Sequence, residues 1–234
     1  MILKQNLILI GASGVAHEII DTIFDINELT QSWNLLGILD DDLAKTGSEF
    51  YRGVKILGTS KLLSQLDLSK TKFLITFSSP VNFLNRENYI ANLLVIFPDI
   101  QFATLIHPSA YVSKTAQIGS GVFFSVGVVV DSKAIVADHA IVLFHSVVSR
   151  FVSVGKYSFI SAGVNIVGHR SIGKNVYVGA KCTINADISN NVLLDSSIFI
   201  KQHIPENSVV SVKSEIDILT YKSSNKLKMM LRGL

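Results

Sequence analysis

Chemistry near the start of this chain centres on Gly11, Ser13 and Gly14, in the run Gly11-Ala12-Ser13-Gly14 that follows the apolar residues 7–10. A glycine turn between a strand and a helix lets the backbone approach a ligand, and the free N–H groups at the helix start favour an anion such as a phosphate. The same turn also serves as a plain connection, so the structural reading stands beside the ligand reading. Asp40 and Asp41 favour the ligand. Carboxylates at the end of a second strand are placed to accept hydrogen bonds from a ribose or a base. Farther along, His145 and His169 are candidates for proton transfer, and His139, His145 and His169 together for holding a metal.

The elements that must position these residues fall into two patterns. Through residue 104, apolar runs (7–10, 35–39, 54–57, 73–77) alternate with helix-like segments (15–26, 61–66, 81–94), which predicts βαβ units and a parallel sheet covered by helices. From Ile106 an aliphatic or aromatic residue recurs at every sixth position through Val112, Ile118, Phe124 and onward to Ile184, fourteen times without a slip. Four residues after each sits a second small or apolar residue, with Arg170 the exception. A period of six fits neither a helix nor a simple strand, so each hexad must turn a corner. Three hexads close a triangular coil of 18 residues, with corners such as Gly119-Ser120-Gly121, Gly155-Lys156-Tyr157 and Gly173-Lys174-Asn175. Coils of this kind stack at about the 4.8 Å strand spacing. The register breaks at Asn190-Asn191 and resumes with Leu194 and Ile200. The boundaries that follow are 1–104 for an α/β domain, 105–212 for a parallel β-helix and 213–234 for a tail.

Composition narrows the function. The 234 residues are 48% hydrophobic and 17% charged, which suits an apolar-rich globular protein that oligomerises. The net charge of +3 is dispersed, with one small basic group at Lys222, Lys226, Lys228 and Arg232 and no interleaved aromatics, so a nucleic-acid role is not expected. A single cysteine, Cys182, and the absence of a signal-like start or a membrane-length apolar run lead to the expectation of a cytoplasmic protein without membrane insertion. The histidines at 139, 145 and 169 share a corner position, but no two are separated by a multiple of 18, so they do not stack on one edge and no metal site is expected.

Several stretches together resemble a known group. They are Ile8-Leu9-Ile10-Gly11-Ala12-Ser13-Gly14, Gly37-Ile38-Leu39-Asp40-Asp41-Asp42, Ile106-His107-Pro108-Ser109-Ala110, and Ile172-Gly173-Lys174-Asn175-Val176-Tyr177-Val178-Gly179-Ala180. The chain is similar over nearly its whole length to the bacterial sugar acetyltransferases that join a Rossmann-like N-terminal domain to a left-handed β-helix. That family includes sialic acid O-acetyltransferases and N-acetyltransferases of UDP- or other nucleotide-linked 4-amino sugars. Left-handedness comes from this resemblance, because crossovers are normally right-handed. The resemblance implies that Gly11, Ser13, Gly14, Val15, Asp40 and Asp41 hold the nucleotide part of a sugar nucleotide rather than NAD. It also implies that Ser161, Ala162, Gly163, Gly179 and Ala180 line an acetyl-CoA groove, and that three copies form a homotrimer.

The chain departs from the family at three places. Ser78 stands after the fourth strand where relatives usually carry a glycine, and could contact the sugar or crowd it. Aligned hexad by hexad, Arg150 occupies the position of the family's catalytic histidine and Phe151 that of the following acidic residue. The last strand ends Val210-Ser211-Val212-Lys213-Ser214, without the glycine-containing Pro-Ala-Lys segment. Arginine stays protonated at neutral pH and is no ordinary base. His169, one coil beyond, stacks its corner on that of Arg150 and Phe151 and is the nearest substitute; His145 lies on another edge and would reach Arg150 along a face or across a trimer interface. The expected function is acetyl transfer from acetyl-CoA to an amino (or hydroxyl) group of a nucleotide-linked sugar in bacterial surface-glycan biosynthesis. A second class is a catalytically degenerate sugar-nucleotide-binding relative that acts as a sensor or partner subunit, and a third is a zinc-dependent lyase.

Overall fold

The computed structural model describes residues 4–211, so the tail expected over 213–234 lies outside the described residues. Six strands form the first sheet: β1 (Gln5–Ile10), β2 (Trp33–Leu39), β3 (Glu49–Tyr51), β4 (Val54–Gly58), β5 (Thr71–Ile75) and β6 (Gln101–Phe102), in the order β3-β4-β2-β1-β5-β6. All neighbours are parallel except β3 and β4. That antiparallel edge hairpin was not foreseen; it closes through Arg52 and Gly53, both at positive φ, as a two-residue hairpin turn requires. Helix α1 (Gly14–Thr30) buries Ala16, Ile19, Ile20 and Ile23, the i, i+3, i+4, i+7 spacing of one helical face, and ends where Gln31 turns left-handed. The expected helix over 61–66 is a 3-10 segment, Ser60–Gln65. Helix α2 spans Asn85–Ile96 and starts four residues later than expected, because Asn82 folds the preceding segment into a turn by accepting the Ser79 N–H.

From Leu105 the chain winds as a left-handed parallel β-helix with three flat faces. The first face is a seven-stranded sheet from Leu105–Ile106 to Val209–Val210, the second a six-stranded sheet from Tyr111–Val112 to Phe199–Ile200. The third runs from Gln117–Ile118 to Ser171–Ile172 and continues by single bridges through Ile188 and Ile204. Partners are 18 residues apart up to Ile184, as in Phe124 with Val142 and Ile166 with Ile184. Later pairs, Val178 with Leu194 and Ile184 with Ile200, are 16 apart. The register break is therefore not at Asn190-Asn191: Ile188 pairs with Ile172, so the short hexad lies on the third face between Ile184 and Ile188.

Inward residues such as Val122, Phe124, Val136, Ile160 and Val178 fill the prism as one continuous core. From Gly121 to Lys181 each corner carries one left-handed residue, among them Lys133, His139, His145, Phe151 and His169. Histidine is enriched several-fold among non-glycine residues in this conformation, which gives all three corner histidines a purely conformational reason to be there.

The outer side of the first face is apolar as well. Leu105, Phe123, Ile141 and Phe159 join Leu7, Leu9, Ile19, Ile20 and Ile23 in one apolar cluster, and α1 rests directly on the β-helix. The signal recurs every 18 residues in the sequence, one position before every third hexad residue.

Candidate functional site

The turn after β1 is held open by its neighbours. Gly11 has φ +106, and a Cβ there would lie 3.0 Å from the Phe77 ring. Asp40 Oδ2 accepts the Ala12 N–H at 2.7 Å and Oδ1 accepts the Asp42 N–H at 3.0 Å, with Lys45 Nζ at 3.4 Å. Burial alone would raise the Asp40 pKa, but these two N–H groups and Lys45 outweigh it and hold the carboxyl below its usual range. Asp40 therefore shapes the turn. Asp41 Oδ1 accepts the Ser60 N–H at 2.8 Å. Ser13 donates its hydroxyl to the Thr76 carbonyl at 2.7 Å and makes no side-chain cap on α1. The N–H groups of Gly14 and Val15 belong to the first turn of α1 and have no acceptor within the helix.

Gly11, Ser13, Asp40 and Asp41 line a cavity of about 260 Å³, together with Ser60, Phe77 and Tyr89. Burial pushes the Tyr89 phenol up to about 12, so it stays a neutral donor. Val15 instead packs against the core shared by α1 and the β-helix, and Ser78 lies outside the cavity wall with its hydroxyl buried and unpartnered.

Gly14 opens onto a second cavity of about 490 Å³, between α1 and the first coils. Its helix side carries His17, Glu18, Asp21 and Asp25; its β-helix side carries His107, Ser125, Val126 and Phe144. His107 Nε2 lies 2.9 Å from Asp25 Oδ2, while its Nδ1 accepts the Ser109 N–H at 3.0 Å, so Nε2 is the protonated nitrogen facing Asp25. Arg52 Nη1 lies 2.7 Å from Asp21. Glu18 accepts a hydrogen bond from the Ser125 hydroxyl, and among the described residues it has no ion pair. Burial raises its pKa, only partly offset by Ser125, the Phe144 N–H and His107.

On the β-helix the sequence-predicted residues divide between two edges. Arg150 is exposed, and its carbonyl accepts the His169 N–H at 3.1 Å. The His169 ring stacks on Phe151 with centroids 4.7 Å apart, on the coil above as the 18-residue repeat requires. His145 lies on the neighbouring edge, its ring over Gly127, where a Cβ would come within 2.6 Å of Nδ1. Ala162, Gly163 and Ala180 follow on that same edge, tied by Gly163 N–H to Phe144 O at 2.9 Å and Lys181 N–H to Ala162 O at 2.8 Å. Gly179 closes the adjoining strand end, where a Cβ would strike the backbone of Asp195 and Ser196. Among the described residues no group of three His, Cys, Asp or Glu side chains is placed to share a metal ion.

The body of the first strand, the open glycine turn and Asp40, just past the second strand, all lie within a stretch that matches a known family. Residues 6–81 match the PglD N-terminal domain. Beyond that domain, the whole arrangement is found in solved structures. The acetyltransferase domain of PglB from Neisseria gonorrhoeae aligns at 22% identity with a TM-score of 0.76, covering 88% of this chain and 96% of that one, and it is also known in complex with acetyl coenzyme A. PerB from Caulobacter crescentus, in complex with CoA and GDP-perosamine, aligns at 19% identity with a TM-score of 0.74, covering 89% and 94%. These likenesses establish the fold, an α/β domain with a parallel sheet on a left-handed β-helix.

Outside the glycine turn, sequence reasoning missed the residues that join the N-terminal α/β domain to the β-helix. Arg86 on α2 is fully buried and donates from Nη1 to the His139 carbonyl at 2.9 Å and from Nη2 to the Ile75 carbonyl at 3.4 Å. Glu87 meets Lys174 at 2.8 Å. Nothing in the spacing of α2 marks either one. For α1 a signal exists, since Gly14, Glu18, Asp21 and Asp25 share one helix face, but a polar face reads as solvated until a second body covers it.

Proposed function

We propose that the protein is an acetyl-CoA-dependent sugar acetyltransferase, moving acetyl to an amino (or hydroxyl) group of a nucleotide-linked sugar in bacterial surface-glycan biosynthesis, as a homotrimer in the cytoplasm. The observation that carries this reading is the open turn at Gly11–Gly14, where the unpaired N–H groups of α1 adjoin a cavity walled by Asp41 and Tyr89. A diphosphate fits the helix start and a nucleoside fits the cavity. Gly11, Ser13, Gly14 and Val15 then meet the diphosphate, Asp41 meets the ribose or base, Asp40 keeps the turn in shape, and Ser78 sits behind the turn. Solved neighbours with acetyl-CoA, or with CoA and GDP-perosamine, support the pairing of these two substrates on this fold. Pantetheine would lie along Ala162, Gly163, Gly179 and Ala180. In this reading no metal takes part. No helix among the described residues is long and apolar enough to cross a membrane.

The substitute bases suggested by the sequence, His169 and His145, both remain proposals; His145 directly follows Phe144 of the α1 cavity wall, whereas His169 stands on another edge. A second reading is favoured by Arg150, which stands where the family's base is expected: a sugar-nucleotide-binding relative without turnover. Incubating the protein with acetyl-CoA and a panel of UDP-, dTDP- and GDP-linked 4-amino sugars separates the two. Release of CoA thiol is the expected outcome; tight sugar-nucleotide binding with no thiol release would replace the enzyme by the binding protein. Sedimentation as a monomer would remove the shared-site part of the reading.

A further inference from the structure

The cavity between α1 and the β-helix lies where the two proposed substrates would meet. Gly14 belongs to its wall while Ser13 belongs to the wall of the nucleotide cavity, so a sugar attached to a diphosphate at the α1 start passes directly into it. One helical turn on, about 6 Å along the axis at 1.5 Å per residue, stands Glu18. That is roughly the depth of one sugar ring.

The second line comes down the β-helix edge. Ala180, Ala162, Phe144 and Val126 are each 18 residues apart, and their corners are linked coil to coil by Lys181 N–H to Ala162 O, Gly163 N–H to Phe144 O and His145 N–H to Val126 O, at 2.8 to 3.0 Å. Three steps of about 4.8 Å carry a thioester arm from Ala180 to the cavity mouth. There Phe144 and Val126 offer exposed apolar surface to an acyl chain, 42% and 38% exposed.

Of the three carboxylates on the cavity wall, Asp21 is paired with Arg52 and Asp25 with His107. Among the described residues Glu18 is the one in no ion pair, and the Ser125 hydroxyl fixes its orientation. We propose that Glu18 is the general base of this protein, taking over proton transfer from the position occupied by Arg150. The inference rests on the transferase reading above. The neutral amine of the sugar attacks the thioester carbonyl carbon and forms the C–N bond. The nitrogen of the adduct, now positively charged, gives one proton to Glu18. The C–S bond breaks, the electron pair leaves on the CoA sulfur, and the proton held by Glu18 is passed to that thiolate, directly or through water. Amide and free CoA thiol are formed, and Glu18 is ionised again. Partial burial suits the group to this, because burial raises its pKa and so makes the carboxylate a stronger base.

The test is the kinetics of Glu18→Gln and Glu18→Asp on a sugar nucleotide that the unaltered protein acetylates. Glu18→Gln keeps an oxygen for the Ser125 hydroxyl, and kcat should fall about 10²- to 10⁴-fold, with the sugar-nucleotide Kd changed less than about threefold. The unaltered protein should lose rate as pH falls through the Glu18 pKa, with His107 on the first coil and His17, Asp21 and Asp25 on α1 as the other titratable groups facing the cavity. Glu18→Asp should keep that acid limb at a lower rate, and Glu18→Gln should lose it. If Glu18→Gln does not fold, an undiminished kcat in Glu18→Asp overturns the proposal. Retention of rate and acid limb in Glu18→Gln, or a loss confined to KM, overturns it while leaving the transferase reading intact. No thiol release from the unaltered protein overturns both.

Discussion

Arg86 and His139 form an unusual buried pair at the joint between the two parts of the molecule. The Arg86 guanidinium is wholly buried with no carboxylate beside it among the described residues; Nη1 and Nη2 donate to main-chain carbonyls while Nε has no partner, and burial lowers its pKa to about 10. It is still protonated at neutral pH. His139, stacked on Tyr157 and edge-on to Phe102, is pushed down to about 4 by burial and then by Arg86, with Asp138 opposing and Lys156 adding to the shift. Its buried Nδ1 has no partner. The unfolded chain, with an ordinary histidine near 6.5, takes up this proton first as pH falls. Stability from a neutral His139 is therefore full above about 6.5 and is lost as pH drops toward 4, by at most roughly 3 kcal/mol. Thermal melts between pH 7 and 4 should show that decline, and His139→Phe should flatten it; an equally steep decline in the variant would place the pH sensitivity elsewhere. The sequence presented His139 only as a possible metal ligand. Nothing in spacing could show that an arginine 53 residues away would be aimed at its carbonyl.

At the scale of elements, the hexads were the most legible feature, because an inward residue every sixth position leaves no other way to bury them all. Corner geometry was legible only in part. Gly155 was expected as a turn former, yet the left-handed residue of that corner is Tyr157. Gly155 is needed for a different reason: a Cβ there would lie 2.5 Å from the backbone of Gly173 on the next coil. Main chain cannot swing aside as a side chain can, so Gly155→Ala should cost about 1 to 3 kcal/mol, as overpacking does. At Gly163 the room is open, with Lys181 Cγ at 3.6 Å, and only the φ of +66 opposes a side chain. Chemical denaturation of both alanine variants should rank Gly155→Ala as the more damaging; the reverse order would mean that left-handed strain outweighs coil contact. The turn at Gly11 was read from the sequence correctly as to place, whereas Asp40 was read as a ligand and is engaged with the turn itself.

For the whole molecule, the sequence described two bodies and left their union unstated. The reason is that both surfaces of the joint look ordinary when taken alone: α1 shows a usual amphipathic pattern, and the large residues 105, 123, 141 and 159 are masked by the stronger six-residue rhythm around them. Covering the first face with α1 commits that face to the interior, and it creates the cavity that holds Glu18. The remaining edges carry the exposed Arg150, His145 and Phe151, which is where another copy would have to contribute. The contraction of the last coils has its own consequence. A stack of parallel strands ends in unpaired N–H and C=O groups, a standing template for another chain. Here the perimeter shrinks from 18 residues to 16, so a full-sized coil from a second molecule would match two faces and fall out of step on the third. Restoring two residues in each of the two short steps, between Ile184 and Ile188 and between Ile200 and Ile204, should remove that mismatch and show as concentration-dependent light scattering, and an unchanged, non-scattering variant would refute it. The taper makes the β-helix a column of fixed height, closed to end-to-end growth by arithmetic.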